Sequence, residues 1–220
     1  ARAALNLAGD VFVDPAGNLV IAARSRVRVV AARTGRFYGQ AMRAGDIYRV
    51  AGTGPAGYSG DGGLATSARV DASTVTRDAY GNVVLGGAGR VRVIAAASGR
   101  YYGRRMTAGH IYTVAGNGQQ YSGDGEPARQ AEITPLEGVA ADAAGDQAIG
   151  DANMTVDVVM ARPGRFFGRR MTAGDLYTVA GDGQMGYSGD GGPGRQARLD
   201  ITGTTVGVAF DPDGNLMIAD

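Results

Sequence analysis

Short apolar runs, separated by glycine-rich polar stretches, extend along the whole chain of 220 residues. The run "RVRVVAA" at 26–32 alternates arginine with valine, a pattern typical of a β-strand with one buried and one solvated face. Apolar runs at 10–14, 18–23 and 47–51 have the length of strands, and the first two flank the turn "DPAGN". Long helical periods are absent; at most "LATSAR" and "EPARQAE" could form one helical turn each. The pattern predicts an all-β protein.

The same pattern recurs along the chain. "GRFYG" at position 35 returns as "GRYYG" at 99 and "GRFFG" at 164, and "DIYRVAG" at 46 returns as "HIYTVAG" and "DLYTVAG". Successive copies are about 64 residues apart. This alignment places four turn aspartates in register: Asp14, Asp78, Asp142 and Asp211. The chain is therefore an array of one repeated unit.

Each unit contains four predicted strands, and such a unit repeated radially is typical of a β-propeller blade. A β-solenoid has much shorter repeats, and a sandwich does not repeat its loops so literally. The predicted boundaries are about 8–67 for blade 1, 72–130 for blade 2, 136–198 for blade 3 and 204–220 for a partial blade 4. The predicted fold is a propeller of four-stranded antiparallel blades.

The chain also resembles a known family. "GVAFDPDGNLMIAD", "RVRVVAA" and "IYTVAG", with "GYSGDGG" after the last strand of a unit, are similar to NHL-repeat propellers in the long-blade form common in actinobacterial proteins. The resemblance covers essentially the whole chain and implies the propeller fold. The family usually has "ADTGNNRVR" between its second and third strands. Here the corresponding segments, "AARSRVR", "GGAGRVR" and "GDANMTVDV", are shortened and degenerate.

The array is expected to be part of a larger ring. The fourth unit has only its first two strands, so we expect an open edge along "NLMIA" at 215–219. A six-bladed ring with blades of this length needs roughly 390 residues. We therefore expect a longer chain or another chain to supply the remaining blades.

Composition narrows the classes of function. The formal net charge is +1, which gives no reason to expect a nucleic-acid partner, and cysteine is absent, which excludes a thiolate nucleophile and a disulfide. Apolar runs nowhere approach the roughly 20 residues that span a bilayer. The propeller fold alone leads us to expect a protein that acts outside the cell or at the cell envelope.

The loop "YSGDGG" occurs at 58 and 187, and "YSGDGE" occurs at 121. A phosphate cradle requires a following helix, and often a lysine, and neither is predicted here. The loop aspartates Asp61, Asp124 and Asp190 are weak calcium candidates, since each loop offers one hard carboxylate ligand. The favoured alternative is a corner in which each aspartate bonds to its own backbone while glycines take positive φ. We therefore expect no bound metal or cofactor, with calcium as the alternative.

The "GR[FY][FY]G" segments combine arginine with two aromatic residues. Such groups dominate binding energies at protein interfaces, so they are the candidate contact residues for a protein or carbohydrate partner. The favoured alternative is that one aromatic ring of each pair packs on its own blade and the arginine covers it. The candidates are Arg36, Phe37, Tyr38, Arg100, Tyr101, Tyr102, Arg165, Phe166 and Phe167.

Catalytic residues are not predicted. The single histidine, His110, aligns with Asp46 and Asp175 and has no serine partner in a recognisable motif, so surface exposure is expected. The turn aspartates are expected to form turns, and the "GRRMT" arginine pairs to lie at solvated edges. The expected function is a non-enzymatic recognition scaffold that binds a protein or glycan through its loop faces. The alternatives are a propeller-type lyase or hydrolase with a central metal, and a structural spacer in a surface assembly.

Overall fold

Antiparallel β-strands form most of the molecule. A computed structural model of the chain describes residues 9–117, 124–133, 136–201 and 207–219. Within these residues the only helical elements are two single 3-10 turns, Ala65–Ser67 and Gly194–Gln196. None of the described helices is long and apolar enough to cross a membrane. The all-β prediction is confirmed.

The first two units have the same strand order. Unit 1 is a four-stranded sheet, β1-β2-β3-β6, formed by β1 (Asp10–Val13), β2 (Leu19–Ala23), β3 (Arg26–Val30) and β6 (Ile47–Ala51). Unit 2 repeats it with β7 (Thr74–Arg77), β8 (Val83–Gly87), β9 (Arg90–Ile94) and β12 (Ile111–Ala115). Between the third and fourth strands, each unit extends a two-stranded arm hairpin: β4 (Gly35–Phe37) with β5 (Gln40–Met42), and β10 (Gly99–Tyr101) with β11 (Arg104–Met106).

Units 3 and 4 continue the array. Unit 3 contains β14 (Leu136–Ala141), β15 (Gln147–Asp151), β16 (Thr155–Val159) and β19 (Asp175–Ala180), with an arm hairpin of β17 (Gly164–Phe166) and β18 (Arg169–Met171). A short strand, β13 (Glu126–Pro127), pairs with the outer edge of β19. The "EPARQAE" segment thus begins as a strand, although the sequence allowed it a helical turn. Unit 4 contains β20 (Gly207–Phe210) and β21 (Leu216–Ala219).

The first strands of successive units lie side by side. β1 packs against β7, β7 against β14, and β14 against β20. Alternation along β3 places Val27 and Val29 in the core and leaves the arginines half-buried, as predicted. The strand ends at Val30 and not at residue 32, although the Ala31 amide still bonds to the Asp46 carbonyl, just before β6.

Three apolar clusters hold the sheets together. They consist mainly of valine, isoleucine and alanine from facing sheets, with one buried methionine from each arm hairpin, Met42, Met106 and Met171. The linker after unit 1 also contributes, because Ala65 and Ala68 are buried in the first cluster. The long linkers are therefore packed parts of the units.

A repeated glycine at the end of each fourth strand marks a close approach. A Cβ on Gly116 would lie 2.1 Å from the Gly89 carbonyl oxygen, and its φ is +81°. Gly52 and Gly181 meet the corresponding turn of their own units in the same way, at φ +92° and +90°. A side chain at these positions meets rigid backbone.

We predict that Gly116→Ala lowers the free energy of unfolding by roughly 3 kcal/mol or more, because it adds a steric clash to a strained φ. Gly103→Ala is the matched control, since its φ is +73° and no atom lies within 4 Å of the added methyl. It carries the strain alone, about 1 kcal/mol. Urea unfolding of both variants measures the difference, and equal losses would contradict the close-approach explanation.

Candidate functional site

The first repeated loop joins its own unit to the next one. The Asp61 carboxylate accepts hydrogen bonds from the Thr113 amide and from the Thr113 hydroxyl, the latter at 2.8 Å. Thr113 lies on β12, the outer strand of unit 2. Two guanidinium groups of unit 2 lie near the same carboxylate, Arg92 at 3.8 Å and Arg104 at 3.7 Å. We call this contact the clasp.

The second loop repeats the clasp at unit 3. Asp124 accepts from the Thr178 amide at 2.9 Å, and Arg169 donates to both of its carboxylate oxygens at 2.9 and 2.7 Å. Arg195 lies 3.6 Å away. The beginning of this loop, Tyr121 included, lies outside the described residues. Each arginine that follows the turn of an arm hairpin, Arg104 and Arg169, also lies over a tyrosine ring of its fourth strand.

The clasp corrects two predictions. Among the described residues, the loop aspartates Asp61 and Asp124 accept no bond from their own loop. They bond to the outward-facing amide of the next unit's edge strand, which has no described strand beside it at that position. Arg104 and Arg169 do not lie at a purely solvated edge, since they pair with those carboxylates. The predicted positive φ of the loop glycines is confirmed, for example at Gly62 with +83°.

The third loop is exposed. Asp190 accepts from the Tyr187 hydroxyl at 3.1 Å, and both side chains are open to solvent. For Asp61 and Asp124, guanidinium groups lie against the carboxylate oxygens that a calcium ion needs. Groups of three or more metal-ligating side chains do not occur in the described part of the chain.

The second aromatic residue of the first arm hairpin is an internal residue. Tyr38 and Gly39 form a two-residue turn with φ of +47° and +79°, as in type I′ hairpins. Tyr38 is 6% exposed, and its hydroxyl donates to Asp14 at 2.8 Å. Burial raises the pKa of Tyr38, and the bonded carboxylate adds to the shift. The ring therefore packs on its own unit.

Asp14 is the centre of a buried network. One of its carboxylate oxygens accepts from the amides of Ala16 and Asn18, and the other accepts from the Asn18 side chain as well as from Tyr38. The side-chain oxygen of Asn18, Oδ1, accepts from the Ala32 amide. The predicted turn-forming role of the aspartate is confirmed, and the network also fixes the arm hairpin. Unit 2 repeats it with Asp78, Asn82 and Tyr102.

Unit 3 departs from this network. Asp146 stands in place of the asparagine and Phe167 in place of the tyrosine, so both side-chain donors to the turn aspartate are lost. Phe167 is 43% exposed. Burial raises the pKa of Asp146, and the nearby Asp142 carboxylate adds to the shift.

The remaining arm residues are divided between surface and packing. Each arm arginine is exposed and donates to the carbonyl of its own turn glycine; these residues are Arg36, Arg100 and Arg165. The first aromatic residues, Phe37, Tyr101 and Phe166, are half-buried. Arg162, and not the adjacent Arg165, lies over the Phe166 ring, at 5.4 Å. The exposed candidate groups are therefore the three arginines and Phe167.

The single histidine lies at the first clasp. His110 is half-exposed, and its Nδ1 is 2.9 Å from the Gly62 carbonyl oxygen in the incoming loop. It is therefore part of a junction between units.

The two clasps differ beneath the loop. In unit 2, Arg92 is buried on β9 and donates to the Ser59 and Arg69 carbonyls. In unit 3 the same position is Asp157, which is 2% exposed and accepts from the Thr178 hydroxyl at 2.7 Å. Burial raises the pKa of Asp157 to about 7; the Asp151 and Asp124 carboxylates add to the shift, and the Thr178 bond opposes it.

Sequence reasoning missed Asp157 as a site residue. Its signal is visible in the comparison of "RVRVV" and "RVRVI" with "TVDVV", where an arginine becomes an aspartate inside an otherwise preserved strand. A charge reversal at a buried position of one repeat indicates a local difference between otherwise similar junctions.

We predict that Asp61→Ala lowers the free energy of unfolding by about 2 kcal/mol, because it leaves the Thr113 edge amide without its acceptor and removes the carboxylate beside the buried Arg92 guanidinium. Asp190→Ala removes the same carboxylate from the exposed third loop. It is expected to cost less than about 0.5 kcal/mol. Denaturant unfolding of both variants tests the clasp; a loss for Asp190→Ala as large as that for Asp61→Ala would contradict it.

A second prediction concerns pH. The folded-state pKa of Asp157 is raised to about 7, above the unfolded value near 3.9. The unfolded state therefore releases this proton first as the pH rises, and stability falls through the window between the two values. For the wild type we expect a contribution of roughly 3 kcal/mol to that fall between pH 4.5 and 8.

Asp157→Asn removes the titrating group and keeps an acceptor for Thr178, so it should flatten this part of the pH profile. Asp190→Asn, at an exposed position, is the control and should leave the profile unchanged. Urea unfolding of each variant across the pH range measures the effect. Identical profiles for wild type and Asp157→Asn would show that Asp157 does not titrate in this way.

Comparison with known proteins shows similarity at the level of fold. Neither a family model nor a curated protein sequence matches the chain. A structural genomics protein of unknown function from Bacteroides thetaiotaomicron VPI-5482 is similar over 97% of this chain, with a TM-score of 0.59 and 16% identity. An auxiliary nutrient binding protein from Bacteroides ovatus ATCC 8483 aligns over 96%, with a TM-score of 0.46 and 12% identity. The chain spans 44% of the first protein and 56% of the second, about half the length of each.

Proposed function

We propose that the units are blades of an NHL-type β-propeller and that the chain acts as a non-enzymatic recognition scaffold for a protein or carbohydrate partner. The side-by-side packing of the first strands and the four-stranded sheets support the propeller. In such a ring the first strands line the central axis, and the arm hairpins and clasp loops project from the rim. We further propose that the protein acts outside the cell or at the cell envelope.

The observation that carries the proposal is that the repeated aspartates form hydrogen bonds within and between the units. The turn aspartates of units 1 and 2, Asp14 and Asp78, are bonded to their own turns and arm tyrosines. The loop aspartates Asp61 and Asp124 hold adjacent units together. A catalytic set needs polar groups free to contact a substrate, and the repeated groups are engaged in structure.

The first strands also favour a scaffold over an enzyme with an axial site. On β1, Val11 and Val13 are 55% and 62% exposed, so this strand presents apolar side chains. Among the carboxylates that do not repeat, Asp151 and Asp157 lie on the second and third strands of unit 3. Two others lie on first strands, Asp10 on β1 and Glu137 on β14, and Asp10 accepts a hydrogen bond from the Val75 amide of the next unit. A central metal centre would need several carboxylates on the first strands that are free to bind the ion.

The arm hairpins supply the proposed contact surface. Their arginines are exposed and held in position by the turn carbonyls, and Phe167 is a large apolar side chain open to solvent. Aromatic and arginine side chains on a rigid element are effective contact groups, because little conformational freedom is lost on binding. Tyr38 and Tyr102 support this surface from within.

The test uses peptide and glycan arrays probed with the whole chain. A defined set of partners should bind, and Phe167→Ala should weaken their binding while the melting temperature stays within about 2 °C of the wild type. Tyr102→Ala is the structural comparison and should lower the melting temperature. Metal-dependent turnover of lactone or uronic-acid substrates would favour the enzyme alternative, and an array without specific binding would favour a spacer; either outcome contradicts the proposal.

A further inference from the structure

The two clasped junctions have equivalent positions, which can be compared one by one. At the junction of units 1 and 2, three arginines surround the clasp: Arg69 in the linker, and Arg90 and Arg92 on β9. At the junction of units 2 and 3, their equivalents are Glu132, Thr155 and Asp157. Asn117, which follows the repeated glycine of unit 2, is replaced by Asp182 in unit 3. These four positions thus change from three arginines and an asparagine to three carboxylates and a threonine, while the clasp arginine Arg104 is retained as Arg169.

At the first junction, arginine side chains of the chain itself fill the space beside the clasp. The Arg90 guanidinium lies 4.1 Å from the centroid of the Tyr58 ring and donates to the Asn117 carbonyl. Arg92 lies 4.8 Å from the same ring. This space is therefore built to hold guanidinium groups.

At the second junction the same space is an open cleft of about 950 Å³. Thr155 and Asp182, the equivalents of Arg90 and Asn117, line it together with Asp124 and Glu132, and Arg195, the ion-pair partner of Asp124, lines it as well. Replacing a long arginine by threonine leaves room that no described side chain fills. The volume lies within the range of ligand sites, roughly 300–1,000 Å³.

The charges of the cleft are only partly compensated. Asp124 is paired with Arg169 and Arg195, and Asp182 lies 3.6 Å from Arg198. Glu132 has no cationic partner within 4.0 Å among the described residues, and Asp157 lies beneath the wall with only the Thr178 hydroxyl donating to it. Met154 and Met185 add apolar surface at the rim, and Met185 is 62% exposed.

We propose that this cleft binds an arginine side chain of a protein partner, whose guanidinium takes the place that Arg90 occupies at the sister junction. The inference rests on the recognition function proposed above and names the group recognised. A planar guanidinium donates to carboxylate and carbonyl oxygens at once, and its flat face packs on apolar atoms such as methionine. A lysine ammonium lacks the flat face and retains its water more strongly.

The absence of tryptophan from the chain provides a clean measurement. A short Gly-Ser peptide that carries one tryptophan and one arginine reports binding through its own emission. Matched peptides with lysine or citrulline in place of arginine test the charge and the shape of the group. We expect saturable binding of the arginine peptide, at least about fivefold weaker binding of the lysine peptide, and none of the citrulline peptide at the same concentrations.

Two variants connect binding to the cleft. Thr155→Arg restores the residue of the sister junction and should fill the space from within, while Glu132→Gln removes the unpaired charge. Each variant should lower the affinity for the arginine peptide about tenfold and leave the melting temperature unchanged. Asp213→Asn, which removes an exposed carboxylate from the unit 4 turn, is the control and should leave binding unchanged.

The inference is wrong if the arginine peptide does not bind at millimolar concentration, or if Glu132→Gln and Asp213→Asn bind it equally well. Calcium binding that depends on Glu132, without peptide binding, would also overturn it. If the array partners bind Thr155→Arg as tightly as the wild type, the scaffold function stands, but the cleft does not bind an arginine side chain of these partners. A negative result for arginine binding in the cleft can therefore be distinguished from a negative result for the proposed recognition function.

Discussion

The hydrogen bond that an edge-strand amide donates to a loop carboxylate is the interaction on which the array depends. The fourth strand of each unit is the last strand of its sheet at Thr113 and Thr178, and its outward amides need acceptors. The loop that leaves the preceding unit supplies one through Asp61 or Asp124. A single contact thus satisfies a sheet edge and fixes the orientation of two units. At each of the two junctions, arginines of the unit that receives the loop pair with the carboxylate and compensate its charge.

Unit 3 keeps the clasp but changes its surroundings. It loses the arm tyrosine and the turn asparagine, and it replaces the buried arginine by a buried aspartate. The Arg169 Nη1 group, which donates to both oxygens of Asp124, maintains the contact at a junction that has aspartate in place of Arg92. The repeat can vary at these positions because the hydrogen bond from the strand amide to the loop carboxylate does not involve their side chains. Variation of this kind gives the second junction the open cleft for which we propose a binding role.

The sequence predicts much of the fold and less of the site. Literal repetition of "IYTVAG" and the alternation of "RVRVV" are enough to place the strands, because both follow from which face of a sheet is buried. The partner of Asp61 could not be predicted, since Thr113 is about 50 residues away and becomes a neighbour only when two units pack. For Tyr38 the sequence indicates both a packed ring and an exposed contact residue; the structure shows the packed ring, held by its bond to Asp14. The sequence shows Asp157 as a departure from the repeat. The raised pKa of its carboxyl group results from burial, which becomes visible only in the structure.

The most direct test of the clasp is amide hydrogen exchange at Thr113 and Thr178, measured by NMR in the wild type and in Asp61→Ala. The account predicts that both amides are strongly protected in the wild type. In Asp61→Ala, the Thr113 amide should exchange at least about a hundredfold faster, while Thr178, which Asp124 holds, keeps its protection. Unchanged protection of Thr113 in that variant would show that the loop aspartate does not hold the units together.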